Sequence, residues 1–171
     1  RRQRQMCIRD SERDMAEIYQ PLDFVGLNVY QPYGVSKRKL DESRKTSMGW
    51  AIDGDVLYWT IRFYCERYHL PVMVTENGMA NDDSVGADGK VHDEKRTAFL
   101  RDYLGGVKRA VSEGIDVLGY QHWSLMDNFE WVQGYTPRFG LIYVDYGTQK
   151  RTVKESAYFY KNVIESNGAI I

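Results

Sequence analysis

Three short runs of consecutive apolar residues, each followed by a longer stretch with helical spacing, constrain this chain more than any other feature. Residues 23–30 (DFVGLNVY), 72–75 (VMVT) and 115–120 (IDVLGY) lack the strict apolar–polar alternation of a sheet wetted on one face, so they read as buried strands. Between the first two, Leu57, Ile61, Tyr64 and Tyr68 recur at helical spacing, with Asp53 as the expected cap and Pro71 as the stop. After the second, Leu100, Leu104, Val107 and Val111 share one helical face, with Asp93 as cap and Gly114 at the end. Residues 141–144 with Asp145, Tyr146 and Gly147 read as a strand and turn. Thr152 and Glu155 then read as a T-x-x-E capping box ahead of a last helix marked by Val153, Ala157, Tyr160 and Ile164. Strand, helix, strand, helix, strand, helix predicts an α/β fold with a parallel sheet covered by helices.

Composition narrows the partners. At 171 residues the chain has the length of about one domain. With 23 Lys and Arg against 24 Asp and Glu, it has no general electrostatic drive toward nucleic acid or an anionic membrane, and neither is expected as a partner. No run has the ~18 apolar residues of a membrane span. Cys7 and Cys65 give no metal spacing or disulfide framework, and His69, His92 and His122 are scattered, so no metal site is expected. The excess of aromatic residues, 13 Tyr and 4 Trp among them, can serve a core, an interface or a sugar-binding cleft, and composition alone favours the core. Residues 1–11 (RRQRQMCIRDS) carry four Arg and no periodicity, and are expected to be a non-native or disordered segment. The run Ser36, Lys37, Arg38, Lys39 reads as a solvated loop rather than a phosphate site.

Functional groups of α/β folds gather where strands end. The first strand ends in Asn28 and Tyr30, and the second in Glu76 and Asn77. The third ends in His122, Trp123 and Ser124, with Asp127, Asn128, Glu130 and Trp131 close behind. In a parallel sheet all of these share one rim. A carboxylate leaving a buried strand at Glu76 needs a partner; an ion-paired or capping glutamate satisfies that as well as a catalytic one.

Residues 74–78 (VTENG) resemble the T-E-N-G motif of family 1 glycoside hydrolases. Residues 23–30 resemble the strand-six motif D-F-x-G-x-N-Y-Y, residues 119–141 (GYQHWSLMDNFEWVQGYTPRFGL) the strand-eight signature, and residues 150–160 the closing segment. The motifs occur in family order, and the likeness runs from about Met15 to Gly168. The resemblance implies a partial (β/α)8 TIM barrel containing strands six to eight with their helices. Residues 12–171 would then be the C-terminal part of one barrel domain. The family's acid/base motif T-x-N-E-P, from strand four, has no counterpart in the sequence. The chain is therefore expected to be a piece of a longer protein, with the N-terminal half of the barrel as its missing partner.

What the resemblance implies chemically is a retaining β-glucosidase. Such enzymes use two carboxyl groups about 5–5.5 Å apart, one nucleophile and one acid/base. By resemblance Glu76 is the nucleophile and Tyr30 the hydroxyl that holds it ionised, with Asn28 shaping the same floor. Glu130 resembles the acceptor for the 4- and 6-hydroxyls, and Trp131 the indole that donates to the 3-hydroxyl. Trp123 resembles the platform under the sugar, and Phe139 its aromatic neighbour. The implied substrate is a β-glucoside or cello-oligosaccharide, and no cofactor is implied. A 6-phospho-β-glycosidase is disfavoured because Glu130 would repel a phosphate dianion; a β-galactosidase, or an inactive sugar-binding or assembly fragment, stays open. Open sheet edges lead us to expect self-association of the isolated chain. The compartment is not legible, with the cytoplasm favoured.

Overall fold

The computed structural model describes residues 11–32 and 44–171. Residues 1–10, in the segment expected to be non-native, and the Ser36–Lys39 run lie outside the described residues. The elements are α1 (Glu12–Ile18), β1 (Val25–Asn28), α2 (Asp55–Tyr68), β2 (Val72–Asn77), α3 (Glu94–Ser112) and β3 (Val117–His122). A 3-10 turn (Trp131–Gln133), β4 (Ile142–Val144), β5 (Arg151–Val153) and α4 (Glu155–Glu165) complete the chain. Ser11 caps α1 through a reciprocal pair with Asp14.

The three predicted strands form one parallel sheet in the order β1-β2-β3. Val72 and Val74 of β2 are fully buried. They join Leu27 and Val29, Leu57, Tyr58 and Ile61 of α2, and Phe99 and Tyr103 of α3, in one core. Each aliphatic side chain so buried contributes about 1.5–3 kcal/mol. A second cluster, Leu100, Leu104, Leu141 and Val163, fastens α4 to α3. Helix α3 thus lies between α2 and α4.

Helix boundaries follow the sequence signals with adjustments. The Asp53 carboxylate accepts from Asp55 N at 3.2 Å, although Gly54 is the formal cap of α2. His69, in the left-handed region at φ 54°, closes that helix before Pro71. Asp93 precedes α3 but makes no side-chain cap; its carboxylate turns to Ser156 and Arg96. Tyr68 and Val111, expected on buried faces, are 50% and 52% exposed.

The last helix departs most. The expected Thr152–Glu155 capping box does not form, because Thr152 lies in β5, opposite Tyr143 in an antiparallel β4–β5 hairpin. Lys154 precedes α4 instead, without a side-chain cap. Val153 and Ile164 are exposed, while Ser156 and Val163 are buried. Pairing with β4 holds residues 151–153 extended, and so shifts the buried face of the helix.

Candidate active site

The register of the sheet sets Asn28 opposite Glu76 and Asn77 opposite His122, so the strand ends share one rim. Asn77, fully buried, pins that rim across all three strands. Its side-chain amide donates to Val29 O at 2.7 Å, its side-chain oxygen accepts from the Tyr120 hydroxyl at 2.7 Å, and its carbonyl accepts from Trp123 N at 2.8 Å. The next residue must be glycine for steric reasons: a Cβ at Gly78 would stand 1.8 Å from the Trp123 carbonyl oxygen. The Trp123–Ser124 peptide is cis.

Glu76 is half-buried between these pins. Val29 N donates to its carbonyl at 2.9 Å, and the Tyr30 hydroxyl donates to its Oε2 at 2.7 Å. Burial, then the hydrogen bond and charge of Glu76, and then the charge of Glu130 push the Tyr30 phenol well above the ordinary tyrosine range. Tyr30 therefore remains a donor wherever Glu76 is ionised.

Tyr30, Glu76, Trp123, Glu130, Trp131 and Phe139 line one pocket of about 290 Å³ together with Trp50. Six of the seven residues singled out in the sequence thus meet in one place. Asn28 does not line the pocket; its side-chain oxygen accepts from Thr75 Oγ1 at 2.7 Å on an exposed part of β1. Trp50 was not singled out. It belongs to a turn in which Thr46 N donates to Trp50 O, and Ser47 N sews that turn to Ala80. The Tyr30, Trp50 and Phe139 rings form a triangle with centroid separations of 5.6, 6.0 and 6.3 Å. A lone tryptophan in an otherwise charged segment is the signal that could have found it.

Glu130 is aimed by Asn128, whose amide donates to its Oε2 at 3.0 Å and whose oxygen accepts from Ser124 at 3.0 Å. Asp127, 6% exposed, is held by protein donors: Lys154, Arg138, Gly140 N and Val144 N all donate to it. His122 is half-buried, with both ring nitrogens enclosed away from solvent. Burial, then the Arg96 charge, push its pKa down to about 3, so it stays neutral beneath the site.

Of the remaining histidines, His92 lies near Glu94 and Glu155, with potential ligand atoms within 4.8 Å. Both its ring nitrogens are engaged, Nδ1 with Glu155 at 2.7 Å and Nε2 with Asp88 at 2.9 Å, which makes an ion-paired clasp of the group. A larger, mainly apolar hollow of about 430 Å³ between α3 and α4 has no acidic side chain in its lining. No helix among the described residues is long and apolar enough to cross a membrane.

What the small pocket offers is one anchored carboxylate, a second carboxylate held open, and aromatic plates around both. Known proteins carry the same arrangement of chain. The model of glycosyl hydrolase family 1 matches residues 1–169. A 1,4-beta-D-glucan glucohydrolase of Thermotoga neapolitana is 46% identical over 175 residues, covering 96% of this chain and 39% of that protein. Beta-glucosidase A of Thermotoga maritima is 47% identical over 166 residues, covering 91% and 37%. A structure of the beta-glucosidase from Thermotoga maritima in complex with methyl acetic acid-substituted glucoimidazole superposes with a TM-score of 0.85 at 45% identity, over 91% of this chain and 37% of that one. The chain therefore spans well under half the length of these relatives, and it belongs to glycosyl hydrolase family 1.

Proposed function

We propose that this chain forms the nucleophile side of a retaining β-glucosidase, with Glu76 as the attacking carboxylate. The observation that carries the reading is the Tyr30 hydroxyl 2.7 Å from Glu76 Oε2, inside a pocket that also holds Glu130 and three indole rings. In this reading β1, β2 and β3 are barrel strands six, seven and eight, and the rest of the barrel meets the open flank. Exposed Phe24, Trp59, Phe63 and Leu118 fit such a covered surface. The same side chains would drive self-association of the isolated chain.

Glu76 attacks the anomeric carbon as the bond to the leaving oxygen breaks, giving a covalent glycosyl-enzyme. Tyr30 donates to the carboxylate and keeps it aimed. The proton for the leaving oxygen comes from an acid/base carboxyl outside this chain, whose sequence holds no N-E-P. That group then deprotonates the water that releases the sugar. Glu130 accepts from sugar hydroxyls, Trp131 donates to one, and Trp123 and Phe139 supply apolar faces for the C–H side of the ring. A carboxylate at Glu130 disfavours phosphorylated sugars. The substrate is a terminal β-glucoside, and the names of the relatives make cello-oligosaccharides the first to try.

Mass spectrometry after incubation with a 2-deoxy-2-fluoroglucoside bearing a good leaving group tests this reading. It is run on the chain and on a version completed with the upstream half. The peptide containing Glu76 should carry the fluoroglucosyl group in the completed protein. Full occupancy of a different carboxylate, or no label on a folded completed protein, would remove Glu76 as nucleophile and favour a sugar-binding pseudoenzyme.

A further inference from the structure

Beneath the pocket runs a buried chain of alternating charges that the catalytic reading does not use. Asp93 contacts Arg96. Arg96 reaches Asp83 at 2.7 Å, Asp83 reaches Lys154 at 2.6 Å, Lys154 reaches Asp127 at 2.8 Å, and Asp127 reaches Arg138 at 3.1 Å. The side chains of Asp83, Asp93, Arg96, Asp127 and Lys154 are all fully buried. Burial would raise the Asp83 carboxyl, but the charges of Arg96 and Lys154 outweigh it and hold the group below its usual range. Three acids and three bases balance, as removal from water requires.

The chain of charges joins two loops and grips one residue between them. Asp83 belongs to the loop after β2, and Asp127 and Arg138 to the loop after β3. Asp127 Oδ1 accepts from Gly140 N at 3.0 Å while its Oδ2 takes the Arg138 guanidinium, so one carboxylate holds both neighbours of Phe139. From the other side, the Arg138 carbonyl accepts from Arg96 at 2.6 Å and from Asn81 N at 3.1 Å. Phe139, 1% exposed, meets the Tyr30 ring edge-on at 86°, and Tyr30 donates to Glu76. A buried carboxylate is thus linked to the Glu76 carboxylate through one clamped backbone and two rings.

We propose that Asp127 is a positioning residue: it clamps Phe139 and through that ring holds the Tyr30 hydroxyl on Glu76. This rests on the nucleophile reading for its effect on rate, but not for its effect on Tyr30. A buried ion cluster that only stabilised the fold would change melting and leave the Tyr30 contact intact. A clamp would change both.

The test uses Asp127→Asn, which keeps the shape and removes the charge, in this 171-residue chain and in the barrel completed with its upstream half. Two readouts are taken on each: the rate of Glu76 labelling by the fluoroglucoside, and the titration of Tyr30 by nuclear magnetic resonance of tyrosine carrying 13C at Cζ. Labelling at least about tenfold slower, with Tyr30 titrating closer to the ordinary value near 10, is the expected result. Wild-type labelling and an unmoved Tyr30 in a folded variant would overturn the proposal. If Asp127→Asn does not melt cooperatively, Arg138→Met, at a side chain 16% exposed, removes one arm of the clamp and should move both readouts the same way by less; no movement there overturns it too. Absence of label in the wild-type protein would refute the nucleophile reading alone, and the Tyr30 titration would still decide whether Asp127 is a clamp.

Discussion

Glu76 and Trp131 line the same pocket, yet the structure holds them in opposite ways. Glu76 ends a central strand, flanked by a fully buried asparagine that bonds to both neighbouring strands, with a phenol on its own carboxylate. Trp131 opens a 3-10 turn at φ 46°, 82% exposed, between Phe129 at 58% and Val132 at 96%. Glu130 lies between the extremes, half-buried and tethered by Asn128. A reacting atom displaced by an ångström can lose about a hundredfold in rate, so the nucleophile proposed at Glu76 needs the rigid mount. An aromatic plate needs only to be present when sugar or a neighbouring element covers it. The loop after β3 combines both demands: Asp127 anchors its base, and the tip carries the sugar contacts proposed above.

If that contrast is functional, removing the anchored carboxylate must do most harm to chemistry. In the completed enzyme, Glu76→Gln should lower kcat by about a thousandfold or more while leaving the melt nearly unchanged. Steady-state kinetics alongside thermal unfolding checks it. A variant retaining a tenth of the wild-type kcat would place the nucleophile elsewhere.

The mounts themselves should differ in stability. At Gly78 an added Cβ meets backbone, the Trp123 carbonyl, which has no flexible end to swing away. Gly78→Ala should cost about 3 kcal/mol or more, at the upper end of overpacking effects, by shifting the third strand end off the second. Val132→Ala, at the exposed tip, should stay within about 0.5 kcal/mol. Urea unfolding of the two variants side by side measures the difference, and equal midpoints would erase the distinction between rim and tip.

Trp131→Ala should then act on binding. Loss of one indole donor and plate should raise KM about tenfold with kcat changed only a few-fold, since the contact proposed for it is with sugar rather than with the reacting atoms. A kcat loss that matched the loss in kcat/KM would show the indole acting in the transition state instead.

How far the sequence foretold this contrast depends on the range of the forces involved. Strand and helix alternation was legible because burial imposes a period that each segment carries alone. The gathering of Tyr30, Glu76, Trp123, Glu130 and Trp131 was legible because parallel strands end on one rim; Phe139 was legible only through the family resemblance. Asn28 stands on that rim but turns to Thr75, a choice of face that strand-end position does not settle. Thr152 and Glu155 satisfy the capping-box pattern, yet three residues of pairing with β4 outweigh a local cap. The buried charges left no local trace. Asp83 and Lys154 lie 71 residues apart, and each alone looks like an ordinary surface charge. The rigid mount was therefore harder to read than the chemistry it supports.

The last comparison separates the same two environments through histidine. His122, its ring nitrogens enclosed under the rim, has its folded pKa pushed down to about 3, first by burial and then by Arg96; unfolded it takes a proton near 6.5. Between those values the unfolded state binds the extra proton, so this residue makes the fold less stable as pH falls through that window, by roughly 1 kcal/mol per pH unit. His92, on the surface, is raised instead by hydrogen bonds to Asp88 and Glu155. Its contribution is complete below the unfolded value and is lost as pH rises through the folded one. The two therefore slope in opposite directions. His92→Gln should flatten the alkaline side of a stability–pH curve from urea melts, and His122→Leu the acid side. If His122→Leu left the acid slope untouched, the imidazole would have to find a proton partner in the folded protein, and the neutral floor assigned to the pocket would be wrong.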